Sequence, residues 1–101
     1  MKVLKTSDFN DYVQNGITVV DFFATWCGPC KMLTPVFEEA SAEMTDVKFA
    51  KVDIDESLEL AQKYSITTVP TILIFKDGEK VDSLVGFMPK NTLVQNVQKH
   101  V

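Results

Sequence analysis

Two spacings of apolar residues divide this chain. Over "ITVVDFFAT", residues 17 to 25, apolar positions run almost unbroken and are mostly β-branched or aromatic, the pattern of a central strand covered on both faces. From Pro29 to about Met44 the period turns helical, with Leu33, Val36, Phe37, Ala40 and Met44 on one stripe. Upstream, "KVLK" reads as a short strand. Ser7 is placed to cap a helix from Asp8 to Gln14 that buries Phe9, Tyr12 and Val13, with Gly16 as its left-handed stop. Downstream, "DVKFAKVDI", residues 46 to 54, alternates Val47, Phe49 and Lys51 against Lys48, Ala50 and Val52, a third strand. Ser57 caps a helix through Tyr64. "TILIFKDGEKVDSLV", residues 71 to 85, reads as two strands joined at Asp77-Gly78, a pair suited to a type I′ turn. Pro89 opens a last helix whose buried stripe is Leu93, Val94, Val97 and Val101.

The element order is therefore β-α-β-α-β-α-β-β-α. Strand–helix alternation implies parallel strands joined by right-handed crossovers, and the final hairpin adds antiparallel ones. The expected class is α/β, a single mixed sheet with helices on both faces, in one domain spanning 1–101. In such a sheet chemistry sits beyond the carboxyl ends of strands. Cys27 lies just past the predicted central strand, so its place fits a site.

The chain's 101 residues are 46% hydrophobic and 24% charged, an ordinary balance for a packed globule. A domain of this size buries roughly 65% of its unfolded surface, so a core forms without covalent staples. The net charge is −4, and all 10 basic residues are lysines dispersed from Lys2 to Lys99. No arginine fork exists for phosphate or a base edge, which argues against nucleic acid and anionic membrane as partners. No apolar run is long enough to span a bilayer, and "MKVLKTSDFNDY" has no secretory h-region. A cytoplasmic location is expected, where thiols stay reduced. Asp53-Ile54-Asp55-Glu56 reads as a solvated acidic loop, Met32 and Met44 as helix packing, and His100 as a solvated residue at a helix carboxyl end.

Within "WCGPCK", Cys27 and Cys30 admit three readings. A zinc site needs about four ligands, and this pair supplies two, with only His100 as imidazole. A static staple closing so small a loop removes little unfolded-state entropy. A redox pair fits the neighbours best. Pro29 suits a first helical turn, which sets Cys27 at the helix amino terminus where unpaired N–H groups and the dipole favour thiolate. Gly28 leaves room for an incoming disulfide. Asp21, inside an apolar strand, is expected to have its pKa raised by desolvation.

"WCGPCK" after a strand holding Asp21, "VPT" at Val69 to Thr71, and Gly86 before the last helix resemble the thioredoxin family over essentially the whole chain. The resemblance implies a thioredoxin fold and a protein-disulfide reductase with no cofactor of its own. It implies disulfide-containing substrate proteins as partners, a monomer, and recharging by a flavin-containing, NADPH-dependent thioredoxin reductase. It makes Cys27 the attacking sulfur and Cys30 the resolving one. Asp21 becomes the buried acid that helps deprotonate Cys30, Lys51 the lysine near that acid, and Pro70 a cis-proline against the disulfide. Trp26, Gly28, Pro29, Ile54, Val69, Gly86 and Phe87 become the substrate contact surface, and Pro35 the proline that kinks the second helix. Phe23 stands where many members carry tryptophan, and Ser65 where glycine is common. Against the reductase stand a binding subunit of the same fold with incidental thiols, and an oxidase or isomerase. Enzymes of that latter kind commonly carry histidine between the cysteines, whereas Gly28-Pro29 favours a reductant.

Overall fold

Successive side chains of a strand point to opposite faces, and along Ile17–Phe23 (β2) both faces are apolar. A computed structural model covering Met1–Val101 shows two cores, one for each face. Val19 joins Phe49, Ile72 and Ile74 beneath Leu33, Phe37 and Ala40 of helix α2 (Gly28–Glu43) and Leu93, Val94 and Val97 of α4 (Lys90–Gln98). Val20 and Phe22 join Ala50, Val52, Leu73 and Phe75 beneath Phe9 and Val13 of α1 (Thr6–Val13) and Leu60 of α3 (Leu58–Lys63). On this second face Phe9, Phe22, Tyr64 and Phe75 pack as tilted and edge-on rings. Asp21, two residues after Val19, falls on the α2 face.

The remaining strands are β1 (Lys2–Val3), β3 (Lys48–Asp53), β4 (Thr71–Lys76) and β5 (Glu79–Val85), and the sheet order is β1-β3-β2-β4-β5. β1, β3 and β2 run parallel, while β4 and β5 are antiparallel, as the alternation followed by a hairpin predicts. Asp77 and Gly78 both have positive φ (50° and 89°), which a type I′ turn requires. No helix is long and apolar enough to cross a membrane.

Two boundaries and one side-chain environment differ from expectation. Ser7 lies inside α1, and Lys5 is the N-cap. The reason is Leu4, buried and paired through its N–H to the Lys51 carbonyl at 2.7 Å, so the chain turns immediately afterwards. Asp8 then reaches back to the Lys5 N–H at 3.4 Å. Val101 is not part of the α4 stripe: it is 64% exposed, because the helix ends at Gln98. His100 is half-buried rather than solvated, with Nε2 2.9 Å from Asp82 Oδ2, and that contact holds the Asp82 carboxyl below the usual range.

Helix α3 ends without glycine. Ser65 takes the left-handed conformation (φ 55°), its N–H bonding the Gln62 carbonyl and the Ile66 N–H bonding that of Ala61. This is the paired closure of a Schellman motif, built on a residue with a Cβ penalty. Left-handed backbone costs a non-glycine residue about 1–2 kcal/mol, and glycine returns about 0.4–1 kcal/mol of that through unfolded-state entropy. Ser65→Gly is therefore expected to stabilise the protein by about 0.5–1 kcal/mol, read as a higher urea midpoint with an unchanged m-value.

Candidate active site

The site begins where β2 stops. The Cys27 N–H bonds the Ala24 carbonyl at 3.2 Å, turning the chain so that Cys27 is the N-cap of α2 in extended conformation (φ −92°, ψ 116°). Its sulfur occupies the place of a capping oxygen and accepts the Cys30 N–H at 3.2 Å. Pro29 falls in the first turn, as predicted, where its missing N–H leaves nothing unpaired. A sixteen-residue helix thus points its positive end at Cys27 Sγ. Cys27 and Cys30 form a disulfide with Cα atoms 5.3 Å apart. They pack with Ala24 against Phe23, Ile54 and Val69.

Around the disulfide the chain exposes a mostly apolar rim. The Val69–Pro70 peptide is cis, Pro70 is buried, and the Val69 carbonyl oxygen lies 3.7 Å from Cys27 Sγ. The Pro70 carbonyl accepts the Gly86 N–H at 2.8 Å, and Gly86 has φ 89°, a value that favours glycine. This bond ties the end of β5 to the segment before β4, with Phe87, 43% exposed, following. Trp26 is 68% exposed and donates its indole N–H to Asp55 Oδ2 at 2.9 Å. Gly28 and Pro29 are exposed, and a Cβ on Gly28 would meet nothing within 4 Å. Nothing inside the molecule requires glycine there, so the space it leaves faces outward. Ile54 and Val69 are half-buried beside the sulfurs.

Beneath this rim lies a charged interior. Asp21 is fully buried, and neither carboxylate oxygen has a hydrogen-bond partner. Desolvation raises its pKa from the ordinary 3.8 to about 6, against the opposing pull of Lys51. Lys51 sits opposite Asp21 in the β2–β3 register but makes no direct ion pair with it. Its Nζ instead bonds Thr34 Oγ1 at 3.2 Å and lies 4.5 Å from the Phe23 ring centroid. Phe23, Thr25, Cys30, Lys31, Thr34 and Lys51 line a cleft of about 190 Å3 on the Cys30 side of the pair.

All twelve predicted site residues fall in this one region, from the rim inward. Sequence reasoning missed Thr34 and Asp55, which bind Lys51 and Trp26. Thr34 had a legible signal: a threonine inside a helix commonly back-bonds the carbonyl four residues earlier, here that of Cys30. Asp55 had none, since the contact spans 29 positions. The acidic stretch is not wholly solvated, because Asp53 is buried and its Oδ1 accepts the Asp55 N–H at 2.9 Å. Met32 is exposed rather than packed, whereas Met44 is buried.

Known proteins resemble the chain over this whole arrangement. A family model described as Thioredoxin matches residues 1–99. The thioredoxin of Chlamydia caviae is 43% identical over 99% of this chain and 98% of its own length, and that of Staphylococcus saprophyticus is 44% identical over all of both. Among solved structures, Plasmodium falciparum thioredoxin superposes with a TM-score of 0.93 at 39% identity, covering both chains fully. A chain from work on thiol resolution in yeast mitochondrial 1-Cys peroxiredoxin by glutathione/thioredoxin systems gives 0.91 at 32% identity, covering 98% and 94%.

Asp21 generates a stability prediction. A carboxyl raised from 3.8 to about 6 binds its proton more tightly in the folded state than in the unfolded one. Its contribution is complete below pH 3.8, fades as pH rises towards 6, and beyond that the buried charge costs the folded state about 3 kcal/mol. Asp21→Asn removes this titration. In the oxidised protein, urea unfolding at pH 4 and pH 7 is expected to show wild type losing about 2–3 kcal/mol relative to Asp21→Asn over that interval.

Proposed function

The chain belongs to the thioredoxin family, and from that premise we propose how its residues divide the work. It is a dithiol–disulfide oxidoreductase that reduces protein disulfides. In our reading Cys27 is the nucleophile, Cys30 the resolving thiol, and residues 1–101 act as one domain. The observation that carries this assignment is Cys27 Sγ in the N-cap position, accepting the Cys30 N–H. A negative sulfur is stabilised there more than a thiol, and the thiolate is the attacking species.

In the reduced protein the Cys27 thiolate attacks one sulfur of a substrate disulfide docked on the rim. A bond forms from Cys27 Sγ to that sulfur, and the other substrate sulfur leaves as thiolate. Cys30 then gives its proton to the Asp21 carboxylate, and its sulfur attacks Cys27 Sγ. The Cys27–Cys30 bond closes, and the second substrate sulfur departs with the electron pair of the mixed disulfide. Two electrons pass from the pair to the substrate. An acceptor with a pKa of about 6 suits proton uptake near neutral pH.

Trp26, Gly28, Pro29, Ile54, Val69, Gly86 and Phe87 form the docking surface in this reading. Pro70 shapes it, and the Val69 backbone beside Cys27 Sγ offers an extended substrate segment its hydrogen bonds. Lys51 tunes Asp21. We assign recharging to an NADPH-dependent thioredoxin reductase, and location to the cytoplasm as a monomer. Disulfide proteins are the substrate class, and the solved chain from the yeast peroxiredoxin work makes a peroxiredoxin a sensible test substrate.

Insulin reduction by the purified chain is expected to proceed with dithiothreitol or reductase and to vanish in a cysteine-less control. Cys30→Ser is expected to accumulate a covalent complex with substrate, visible on a non-reducing gel and cleared by reductant, while Cys27→Ser accumulates none. Equal trapping by both variants reverses nothing about the pair but overturns the assignment of roles.

A further inference from the structure

One hydroxyl outside the expected set joins the two halves of the site's interior. Thr34, half-buried one turn beyond Cys30, donates from Oγ1 to the Cys30 carbonyl at 3.2 Å. With that proton committed, its oxygen presents a lone pair to Lys51 Nζ, 3.2 Å away. The face of Phe23 engages the same ammonium. Lys51 starts beside Asp21 in the sheet, and a side chain long enough to reach Thr34 is long enough to fold back on its neighbour. An ammonium near an unpartnered carboxylate in a desolvated site is strongly drawn to it. Yet no protein group bonds either Asp21 oxygen, and the Thr34 hydroxyl is the hydrogen-bond acceptor that Lys51 has instead.

The geometry points to Thr34 as a positioning residue for disulfide exchange: its hydroxyl holds the Lys51 ammonium off the Asp21 carboxylate, which leaves that carboxylate free to take the Cys30 proton. The inference rests on the proton-acceptor role proposed for Asp21. In the resolving step the Cys30 S–H bond breaks and the proton goes to Asp21. The electron pair left on Cys30 Sγ forms the bond to Cys27, and the substrate thiolate leaves. Lys51 and Thr34 exchange no proton in this sequence. Direct contact with the ammonium would favour the ionised carboxylate and weaken it as an acceptor. In the reduced protein the ionisable groups lining the cleft are Lys51 from β3 with Cys30 and Lys31 from α2, Cys27 packs against Cys30, and β4 pairs uncharged Ile72 with Asp21.

Thr34→Val keeps the shape and removes the hydroxyl, and Thr34→Ser restores it. Two readouts are needed: the carboxyl-carbon NMR titration of Asp21 in the oxidised protein, and the pH profile of mixed-disulfide resolution. In Thr34→Val the titration midpoint is expected to fall by about one pH unit or more, with slower resolution near neutral pH. Thr34→Ser is expected to match wild type, and Thr34→Val is expected to add nothing in a Lys51→Met background. An unmoved midpoint in the valine variant, an equal fall in the serine variant, or an equal fall without Lys51 each overturns the role. Asp21→Asn separates this from the underlying reading. If its resolution rate and pH profile match wild type, Asp21 is not the proton acceptor and the catalytic half of the inference falls. The carboxyl titration still decides whether Thr34 holds Lys51 away.

Discussion

The structure depends on a sulfur doing the work of a capping oxygen. Four N–H groups at the start of any helix lack internal partners, and serine, threonine, aspartate or asparagine ordinarily supplies one. Here Cys27 Sγ accepts the Cys30 N–H. The bond is stronger when the sulfur is negative, so the start of α2 and the chemistry of the pair share one interaction. The rest of the fold aims that helix. β2 is covered on both faces and placed centrally between β3 and β4, and it ends four residues before the sulfur it delivers.

The same strand carries the opposing charge inward. Because side chains alternate along β2, Asp21 must share a face with Val19, and that face is covered by α2. The carboxyl is therefore buried under the helix whose amino terminus holds Cys27. Burial alone would push its pKa higher still. Lys51, set beside it by the β2–β3 register, limits that effect without touching it. Two electrostatic influences of opposite sign hold the acid close to neutrality, and their separation is set by contacts that Lys51 makes elsewhere.

Features that depend on local chemistry were legible in the sequence. The unbroken run at 17–25, the helical stripe after Pro29 and the Asp77-Gly78 turn correspond to β2, α2 and the β4–β5 hairpin, and the strand-helix alternation to the mixed sheet. The cysteine pair was legible because a strand, a C-x-x-C and a proline in the first turn constrain each other within a dozen residues. What was not legible depends on distant partners. The start of α1 is set by Leu4 pairing with Lys51, and Ser7 offered an equally good local cap that the chain does not use. Trp26 with Asp55 and His100 with Asp82 are likewise contacts between elements, invisible to periodicity. Ser65 shows the converse limit. Glycine is favoured in the left-handed closing position, yet an exposed serine takes it at φ 55° with the same closing hydrogen bonds.

The two cysteines differ less in exposure than their roles suggest, at 5% and 2%. A gap that small cannot by itself make one sulfur the attacker and the other the resolver. The difference lies in what each one faces. Cys27 Sγ lies between the Cys30 N–H and the Val69 carbonyl, at the rim that carries exposed Trp26 and Phe87. Cys30 instead lines the cleft shared with Thr34 and Lys51, the lysine that stands opposite Asp21 in the sheet register. The proposed mechanism has one sulfur meet the substrate and the other lose its proton, and the two surroundings suit that division. The division of labour is thus a matter of direction, imposed by a helix that starts between the two surfaces.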